Sequence, residues 1–339
     1  MGVKEEMAAV VSARSGRPPR LRRRTVTLED GHRVGVAVCG EGVPLLFVHG
    51  LMADGMLYAR VLRRIAGLGF RVVAIDSAGH GATRGLGTRG WRWDAYVDLH
   101  RRVIDHLGIR SAVLMGHSMG GRVAVDLAAD DPDRALAVIP VNAAIGPGFD
   151  RYTTLSRRLP LLLPLAVGLL GVDSAISMAL GYREAMALSR LAIPSLPCRL
   201  RALPAVSQAF VATIGATGSG EKLRSLRATG VPVVIVHGDR DLVVWYPFAR
   251  GAARSAGARL VRVRGAHHSW MLEGADSLPA ILTALLGAEV GAGLDRFAGS
   301  ICDLYEPGAL IGSLDRPHAP PYMLEPRHRW IDDPASTSA

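Results

Sequence analysis

Short apolar runs alternate with amphipathic segments along most of the chain. The runs are four to seven residues long, as expected of strands buried on both faces of a sheet, and helical spacing prevails between them. We therefore predict an α/β fold with a mostly parallel central sheet and helices on both faces. Pro140 lacks an N–H, so its strand should stop pairing near its end. The predicted strands are 43–48, 70–75, 112–115, 135–141, 231–236 and 258–263, and the predicted helices are 57–65, 93–107, 122–129, 247–256 and 276–286.

The alternation stops between residues 143 and 229, where the pattern is helical and punctuated by prolines. We predict a core formed by 25–142 and 230–287, with 143–229 inserted as a helical cap. The cap includes a Leu-rich run, 159–172, and further helical patterns at about 175–191 and 205–214.

The two ends of the chain differ from this core. Residues 1–24 are basic and aperiodic, which predicts an arm. Residues 25–29 and 33–38 flank an Asp-Gly-His turn and are predicted to form a β-hairpin. Residues 288–339 are Gly-rich and then Pro-rich, so we expect a loosely packed tail with one short helix before Pro307.

The composition suits a large packed core, since 49% of the 339 residues are hydrophobic. Three distant cysteines, Cys39, Cys198 and Cys302, show neither a disulfide framework nor metal spacing. The charged N-terminus lacks the apolar stretch of a secretory signal, and the run 159–172 is shorter than the ~18–20 residues that span a bilayer. We therefore expect a cytoplasmic protein without a metal or cofactor.

The formal net charge is +10, and much of it comes from arginine. An arginine-rich, solvated surface explains this charge most simply. No aromatic stacking platform accompanies the arginines, so nucleic acid is not an expected partner. Arg151, Arg157 and Arg158 precede the Leu-rich run and would suit peripheral contact with an anionic membrane. Such contact predicts vesicle binding that falls steeply with added salt, and salt-insensitive or absent binding would contradict it.

Gly116-His117-Ser118-Met119-Gly120 links an apolar strand directly to a helical pattern. Gly-x-Ser-x-Gly in this strand–turn–helix context holds the serine on a sharp, strained turn. The helix behind the serine presents free N–H groups to an oxyanion. Ser118 is therefore the candidate nucleophile.

A serine nucleophile needs a histidine base and an acid that orients the histidine. These groups should follow later strands of a parallel sheet. Asp239 and Asp241 follow one such strand, and the adjacent His267 and His268 follow the next. The chain order Ser, Asp, His is the order found in triads on this kind of sheet.

Two backbone N–H groups should bind the oxyanion. The first candidate is Met119, which follows the nucleophile. The second lies after His49-Gly50, where Leu51 is preferred to Met52. We expect His49 to brace this loop, and we interpret 76–81 as a shaped loop.

Taken together, residues 25–287 resemble the α/β-hydrolase superfamily in its lipase/esterase-like branch. The matching pieces occur in order on the expected element ends. They are His49-Gly50, Asp76-x-x-Gly79-His80-Gly81, Gly116-His117-Ser118-Met119-Gly120-Gly121, His237-Gly238-Asp239-Arg240-Asp241 and Gly265-Ala266-His267-His268.

The resemblance implies that Asp241, three residues after the glycine of its motif, is the acid and that His268 is the base. The chain departs from the family pattern at His267, where a glycine is usual, and at Thr83, where serine is common. The family's epoxide hydrolases and haloalkane dehalogenases use an aspartate nucleophile, so Ser118 argues against both.

These observations predict a serine hydrolase that cleaves a carboxylic ester, from a small molecule or a lipid, through an acyl-enzyme. The Leu-rich run 159–172 suggests an apolar acyl group, although the core of the cap would explain it equally well. Carbon–carbon bond hydrolysis and cofactor-free peroxidase chemistry on the same triad stay open. A non-catalytic, hydrolase-like binding protein is a further alternative.

Overall fold

The computed structural model describes residues 19–159, 168, 172–173, 196–291 and 326–333. A nine-stranded sheet in the order β1-β2-β4-β3-β5-β6-β7-β8-β9 runs through this part of the chain. β3 to β8 pair in parallel, whereas β1, β2 and β9 pair antiparallel at the two edges. The strands are β1 Arg22–Thr27, β2 Arg33–Cys39, β3 Val43–Val48, β4 Phe70–Ile75, β5 Ala112–His117, β6 Ala135–Val141, β7 Val234–Gly238, β8 Arg259–Val263 and β9 Trp330–Asp332.

Helices cover both faces of the sheet, which confirms the predicted fold class. Consecutive strand residues such as Leu45 and Leu46 belong to two different hydrophobic clusters, one on each face. Short 3₁₀ helices occur at Gly87–Trp91 and Pro132–Arg134. The α-helices are α1 Ala59–Ala66, α2 Trp93–His106, α3 Met119–Asp130, α4 Pro147–Arg158, α5 Leu196–Gly215, α6 Ser219–Thr229, α7 Tyr246–Ala256, α8 Trp270–Glu273 and α9 Ser277–Leu286.

Both ends of the chain contribute more to the sheet than the sequence indicates. β1 begins at Arg22 rather than at residue 25, and Arg23 pairs with the buried carboxylate of Asp76. The prediction of a loose tail over 288–339 is wrong for β9, which pairs with the edge strand β8. Without β9, the outer edge of β8 would present unpaired backbone groups. A side-chain contact adds to this pairing, since Arg259 Nε binds Asp332 Oδ1 at 2.6 Å.

Pro140 does not end the pairing of β6, contrary to the prediction. β6 stays in register with β5 as far as Val141. The N–H groups of Val138 and Asn142 donate toward β7, to Pro232 and Val236. Alternation along the strand therefore places the missing N–H of Pro140 on the β7 side, where the β6–β7 pairing is sparse.

The insertion between β6 and β7 is described only in part. α4 and α5 lie on either side of the part of the insertion that is not described, and α6 packs against α3 and α7 over the sheet. Since α6 belongs to the layer that covers the core, the predicted cap boundary at residue 229 lies too late. The helix predicted at about 175–191, most of the run 159–172 and the helix before Pro307 lie outside the described residues. No helix in the described ranges is long and apolar enough to cross a membrane.

A buried arginine ties α3, the helix that follows Ser118, to its neighbours. Arg122 donates to Asp150 Oδ1 of α4 at 3.0 Å and to the Thr217 carbonyl, just before α6, at 2.9 Å. Its side chain is 1% exposed, so these partners replace the water that a guanidinium would otherwise bind. Arg122 thus fixes how α4 and α6 sit around the helix that carries Ser118.

Replacing Arg122 by alanine should lower the free energy of unfolding by about 3–5 kcal/mol, because Asp150 would lose its buried cationic partner. Arg101→Ala is a matched control, since Arg101 is 44% exposed and lies 3.5 Å from Asp98. That change should cost less than about 1 kcal/mol. Urea unfolding of both variants checks the prediction, and equal losses would contradict it.

Candidate active site

Ser118 occupies a strained turn between β5 and α3, with φ 54° and ψ −116°. A left-handed φ is costly for a serine and needs a structure that enforces it. Ser118 N–H donates to the Val141 carbonyl, and its own carbonyl accepts from Gly121, Arg122 and Ala144 at 3.1–3.3 Å. A Cβ at Gly116 would collide with the backbone of Gly120 across the turn, and a Cβ at Gly120 would collide with the backbone of Val48 in β3. The motif glycines are therefore required by close packing, and the serine side chain stays half-buried.

His268, which follows β8, forms a hydrogen bond with Asp241, which follows β7. The distance from His268 Nδ1 to Asp241 Oδ2 is 2.8 Å, and both residues are buried. Oδ1 of Asp241 accepts from the Val243 and Val244 N–H groups at 2.8 and 2.9 Å. This carboxylate is thus surrounded by donors.

The environment lowers the pKa of Asp241 and raises the pKa of His268. Burial acts to raise the pKa of Asp241, but the charge of His268 and the hydrogen bonds from His237 and His268 outweigh it and hold the pKa well below its ordinary value. Burial acts to lower the pKa of His268, but the charge and hydrogen bond of Asp241 outweigh it, so the pKa is raised above its ordinary value. Asp241 therefore stays ionised while His268 readily takes up a proton.

His117 connects the serine turn to the loop of His268. Its Nε2 lies 2.9 Å from the His268 carbonyl, and its ring centroid is 4.7 Å from that of His268. Only a protonated Nε2 can donate to a carbonyl, so Nδ1 accepts from the Tyr58 hydroxyl at 2.8 Å. Burial lowers the pKa of His117 to about 3, in keeping with a neutral ring. Ser118 and His268 are thus held on adjoining loops, with Nε2 of His268 not engaged by the acid.

The competing candidates have other partners. Asp239 accepts from the Gly265 N–H at 2.7 Å and pairs with Arg262 at 2.9 Å, so it joins the loops after β7 and β8 as a turn carboxylate. His267 Nδ1 has no hydrogen-bond partner among the described residues and lies 3.6 Å from Asp173 Oδ1. The geometry therefore places Asp241 and His268 together, and not their neighbours.

The loop after β3 holds the two candidate oxyanion donors that the sequence predicts there. Met52 N–H is already engaged, because it donates to His80 Nε2 at 3.1 Å. Within the described part of the chain, the N–H groups of Leu51 and Met119 donate to no protein acceptor. Gly50 lies against the serine turn, since a Cβ built on it would be 3.4 Å from Ser118 Cβ. These positions agree with the choice of Leu51 over Met52.

Two histidines brace this loop through hydrogen bonds. His49 Nε2 accepts from the Ser77 N–H at 2.9 Å, and its Nδ1 lies 2.7 Å from the Gly50 carbonyl. Burial lowers the pKa of His80 to about 3. Oδ1 of Asp76 accepts from the Gly55 N–H at 2.9 Å, so the 76–81 loop has a shaping role.

In the described ranges, no three His, Cys, Asp or Glu side chains gather into a metal site.

Two residues that sequence reasoning missed also contact the pair. Asn142, at the end of β6, donates from Nδ2 to Asp241 Oδ2 at 2.7 Å and accepts from Trp270 Nε1 at 2.8 Å. Its position directly after an apolar strand is the signal that the sequence offers. Asp173, from the insertion, accepts from the His268 N–H at 2.9 Å. No periodicity or motif marks this aspartate.

A serine on the turn after a central parallel strand, with an Asp–His pair after two later strands, defines an α/β hydrolase. The chain belongs to this family, since the family model described as alpha/beta hydrolase fold matches residues 43–275. A protein of Mycobacterium phage D29 named "Putative non-heme haloperoxidase" is 34% identical, with 74% of this chain and 90% of the relative covered. The non-heme haloperoxidase of Rhodococcus erythropolis is 28% identical, with coverage of 77% and 98%.

Solved structures show the same fold. A serine hydrolase involved in carbazole degradation superposes with a TM-score of 0.62 at 19% identity, covering 79% of this chain and 99% of that one. A membrane phospholipase A gives a TM-score of 0.60 at 18% identity, covering 84% and 91%. At these identities the likeness supports the fold alone.

Asn142→Asp should destabilise the protein by about 3–5 kcal/mol at pH 8, because a second buried carboxylate would face Asp241. Like charge and burial raise the pKa of the new carboxyl above its unfolded value, so the loss should shrink as pH falls toward 5. Urea unfolding of the variant and wild type at both pH values measures this difference.

Gln208→Glu is the control, since it makes the same amide-to-acid change on a half-buried side chain of α5. It should cost less than about 1 kcal/mol. A loss for Asn142→Asp that does not depend on pH would contradict the assigned role of Asn142.

Proposed function

We propose that the protein is a serine hydrolase that cleaves a carboxylic ester with an apolar acyl group. The observation that carries this proposal is the buried 2.8 Å hydrogen bond between His268 and Asp241, next to a strained serine turn. An acid that orients Nδ1 leaves Nε2 free to act as a base toward a serine hydroxyl. The family alone would not indicate the chemistry, since one fold hosts many reactions.

The reaction proceeds in two halves. His268 Nε2 takes the proton of Ser118 Oγ while that oxygen attacks the ester carbonyl carbon. The Leu51 and Met119 N–H groups donate to the tetrahedral oxyanion. His268 then passes its proton to the leaving alcohol, and the acyl-enzyme remains. Water repeats the sequence on the acyl-enzyme, which releases the carboxylic acid and restores Ser118.

Apolar side chains beside the site support an apolar acyl group. Met52 is 59% exposed and follows the proposed oxyanion donor Leu51. Val172 is 51% exposed and precedes Asp173, which binds the His268 N–H. Exposed apolar side chains around a polar centre are typical of sites that bind apolar ligands. We propose that residues of the insertion between β6 and β7 form the acyl-binding wall.

The names of two relatives favour a second candidate on the same residues, a cofactor-free haloperoxidase. In this reaction a carboxylic acid acylates Ser118 with loss of water. Hydrogen peroxide then replaces water as the attacking nucleophile, which releases a peracid that can oxidise halide. The two candidates share the acyl-enzyme and differ in the acyl donor that forms it and in the nucleophile that resolves it.

Ser118→Ala should reduce kcat/KM for p-nitrophenyl esters by at least about a thousandfold. Ser225→Ala is the matched control, because Ser225 is exposed on α6 and should leave activity unchanged. The base must be neutral to accept a proton, and the pKa of His268 is raised, so wild-type kcat/KM should fall as pH drops through a value above that of an ordinary histidine. An acyl-length series with these enzymes identifies the preferred chain.

Ester hydrolysis that survives Ser118→Ala would overturn the mechanism. Wild-type protein that neither hydrolyses esters nor reacts with a fluorophosphonate would favour a binding protein. Bromination that needs hydrogen peroxide, a carboxylic acid and Ser118, in the absence of ester hydrolysis, would favour the haloperoxidase.

A further inference from the structure

A second aspartate lies beside the Asp241–His268 pair without bonding to either side chain. Asp173 Oδ2 accepts from the backbone N–H of His268 at 2.9 Å, and Oδ1 accepts from the Leu242 N–H at 3.1 Å. Asp173 comes from the insertion, whereas its two donors come from the loops after β8 and β7. One buried carboxylate thus clasps the peptide of the base and the peptide that follows the acid.

We propose that Asp173 is a positioning residue for the reaction, clamping the acid loop and the base loop in the register that the Asp241–His268 hydrogen bond requires. The proposal rests on the proposed serine chemistry for its kinetic consequences, but the clamp itself is a structural claim. Both donors are rigidly joined to the reacting groups, because one is the peptide of His268 and the other follows Asp241 directly. Loss of the clamp would therefore let both ends of that hydrogen bond move.

A buried carboxylate at position 173 carries a desolvation cost that a purely structural role would not require. Burial raises the pKa of Asp173 even though two N–H donors and the nearby His268 act in the other direction. An uncharged acceptor could bind one N–H group without this desolvation cost. A carboxylate supplies two acceptors and also a negative charge close to His268, which stabilises its protonated form.

The charges that face His268 come from several elements. Asp241 bonds to its Nδ1, Asp173 to its N–H, and His117 to its carbonyl. His237 lies behind Asp241 at 3.3 Å, and His267 lies 3.6 Å from Asp173. His117 is held neutral by burial, and among the described residues Asp241 and Asp173 are the anionic groups that raise the pKa of His268. Removing the charge of Asp173 should therefore make His268 harder to protonate.

The test is an NMR titration of His268 in wild type, Asp173→Asn and Asp239→Asn, with His ¹³Cε1 labelling and assignment by His268→Gln. In Asp173→Asn the pKa of His268 should fall by about 0.5–1. Asp239→Asn is the matched control, since Asp239 also joins the two loops but bonds to Gly265 and not to His268. It should leave the pKa of His268 at the wild-type value.

Kinetics give a second measurement. Asp173→Asn should lower kcat/KM for p-nitrophenyl esters by about tenfold to a hundredfold, as misplaced reacting groups do. The acidic limb of its pH profile should move to lower pH. Asp173→Glu keeps the charge but not the geometry, so it should lower kcat and leave the acidic limb of the pH profile at its wild-type position.

Hydrogen exchange of wild-type protein requires no variant to fold. The N–H groups of Leu242 and His268 should be protected from exchange, and rapid exchange of both would overturn the clamp. An unchanged pKa of His268 in Asp173→Asn, or an equal fall in Asp239→Asn, would also overturn it. Titration and exchange need no turnover, so an inactive wild type would reject the proposed function and leave the clamp to be decided by these measurements.

Discussion

The left-handed backbone of Ser118 is the constraint on which the rest of the site depends. This conformation is held by hydrogen bonds from Ser118 to the end of β6 and to the first turn of α3. The bonds form only because Gly116 and Gly120 let the strand, the turn and the helix approach closely. The sheet supplies the rigid frame that a strained turn needs, and the turn in return presents a side chain and a row of N–H groups at one point.

Burial keeps three histidines near this turn neutral. It lowers the pKa of His80 and His117 to about 3 and that of His100 to about 4, so these rings serve as neutral hydrogen-bonding groups. His268 is equally buried, yet its pKa is raised because Asp241 faces it. A carboxylate partner is the difference between a bracing histidine and a base. The site thus concentrates its acid–base capacity on one ring among several.

The sequence predicts the parts of the site that sit at the ends of regular elements. Ser118, Asp241 and His268 each follow a strong apolar strand, and parallel strands bring their ends to one edge of a sheet. Asn142 also follows an apolar strand, but its amide is not one of the nucleophile, acid and base groups that the triad pattern predicts. Asp173 carries no local signal, since its partners are distant backbone N–H groups. The short strand β9 is likewise hidden, because its pairing depends on the open edge of β8 and not on its own pattern.

His268 is fixed at three points by three different segments. Asp241 holds its ring, His117 of the serine strand holds its carbonyl, and Asp173 of the insertion holds its N–H. Fixing the peptide on both sides leaves little freedom except rotation of the ring, and the hydrogen bond to Asp241 removes that freedom too. The one nitrogen that these contacts leave for chemistry is Nε2. Because one of the three contacts comes from the insertion, the segment proposed to bind the acyl group also helps to orient the base.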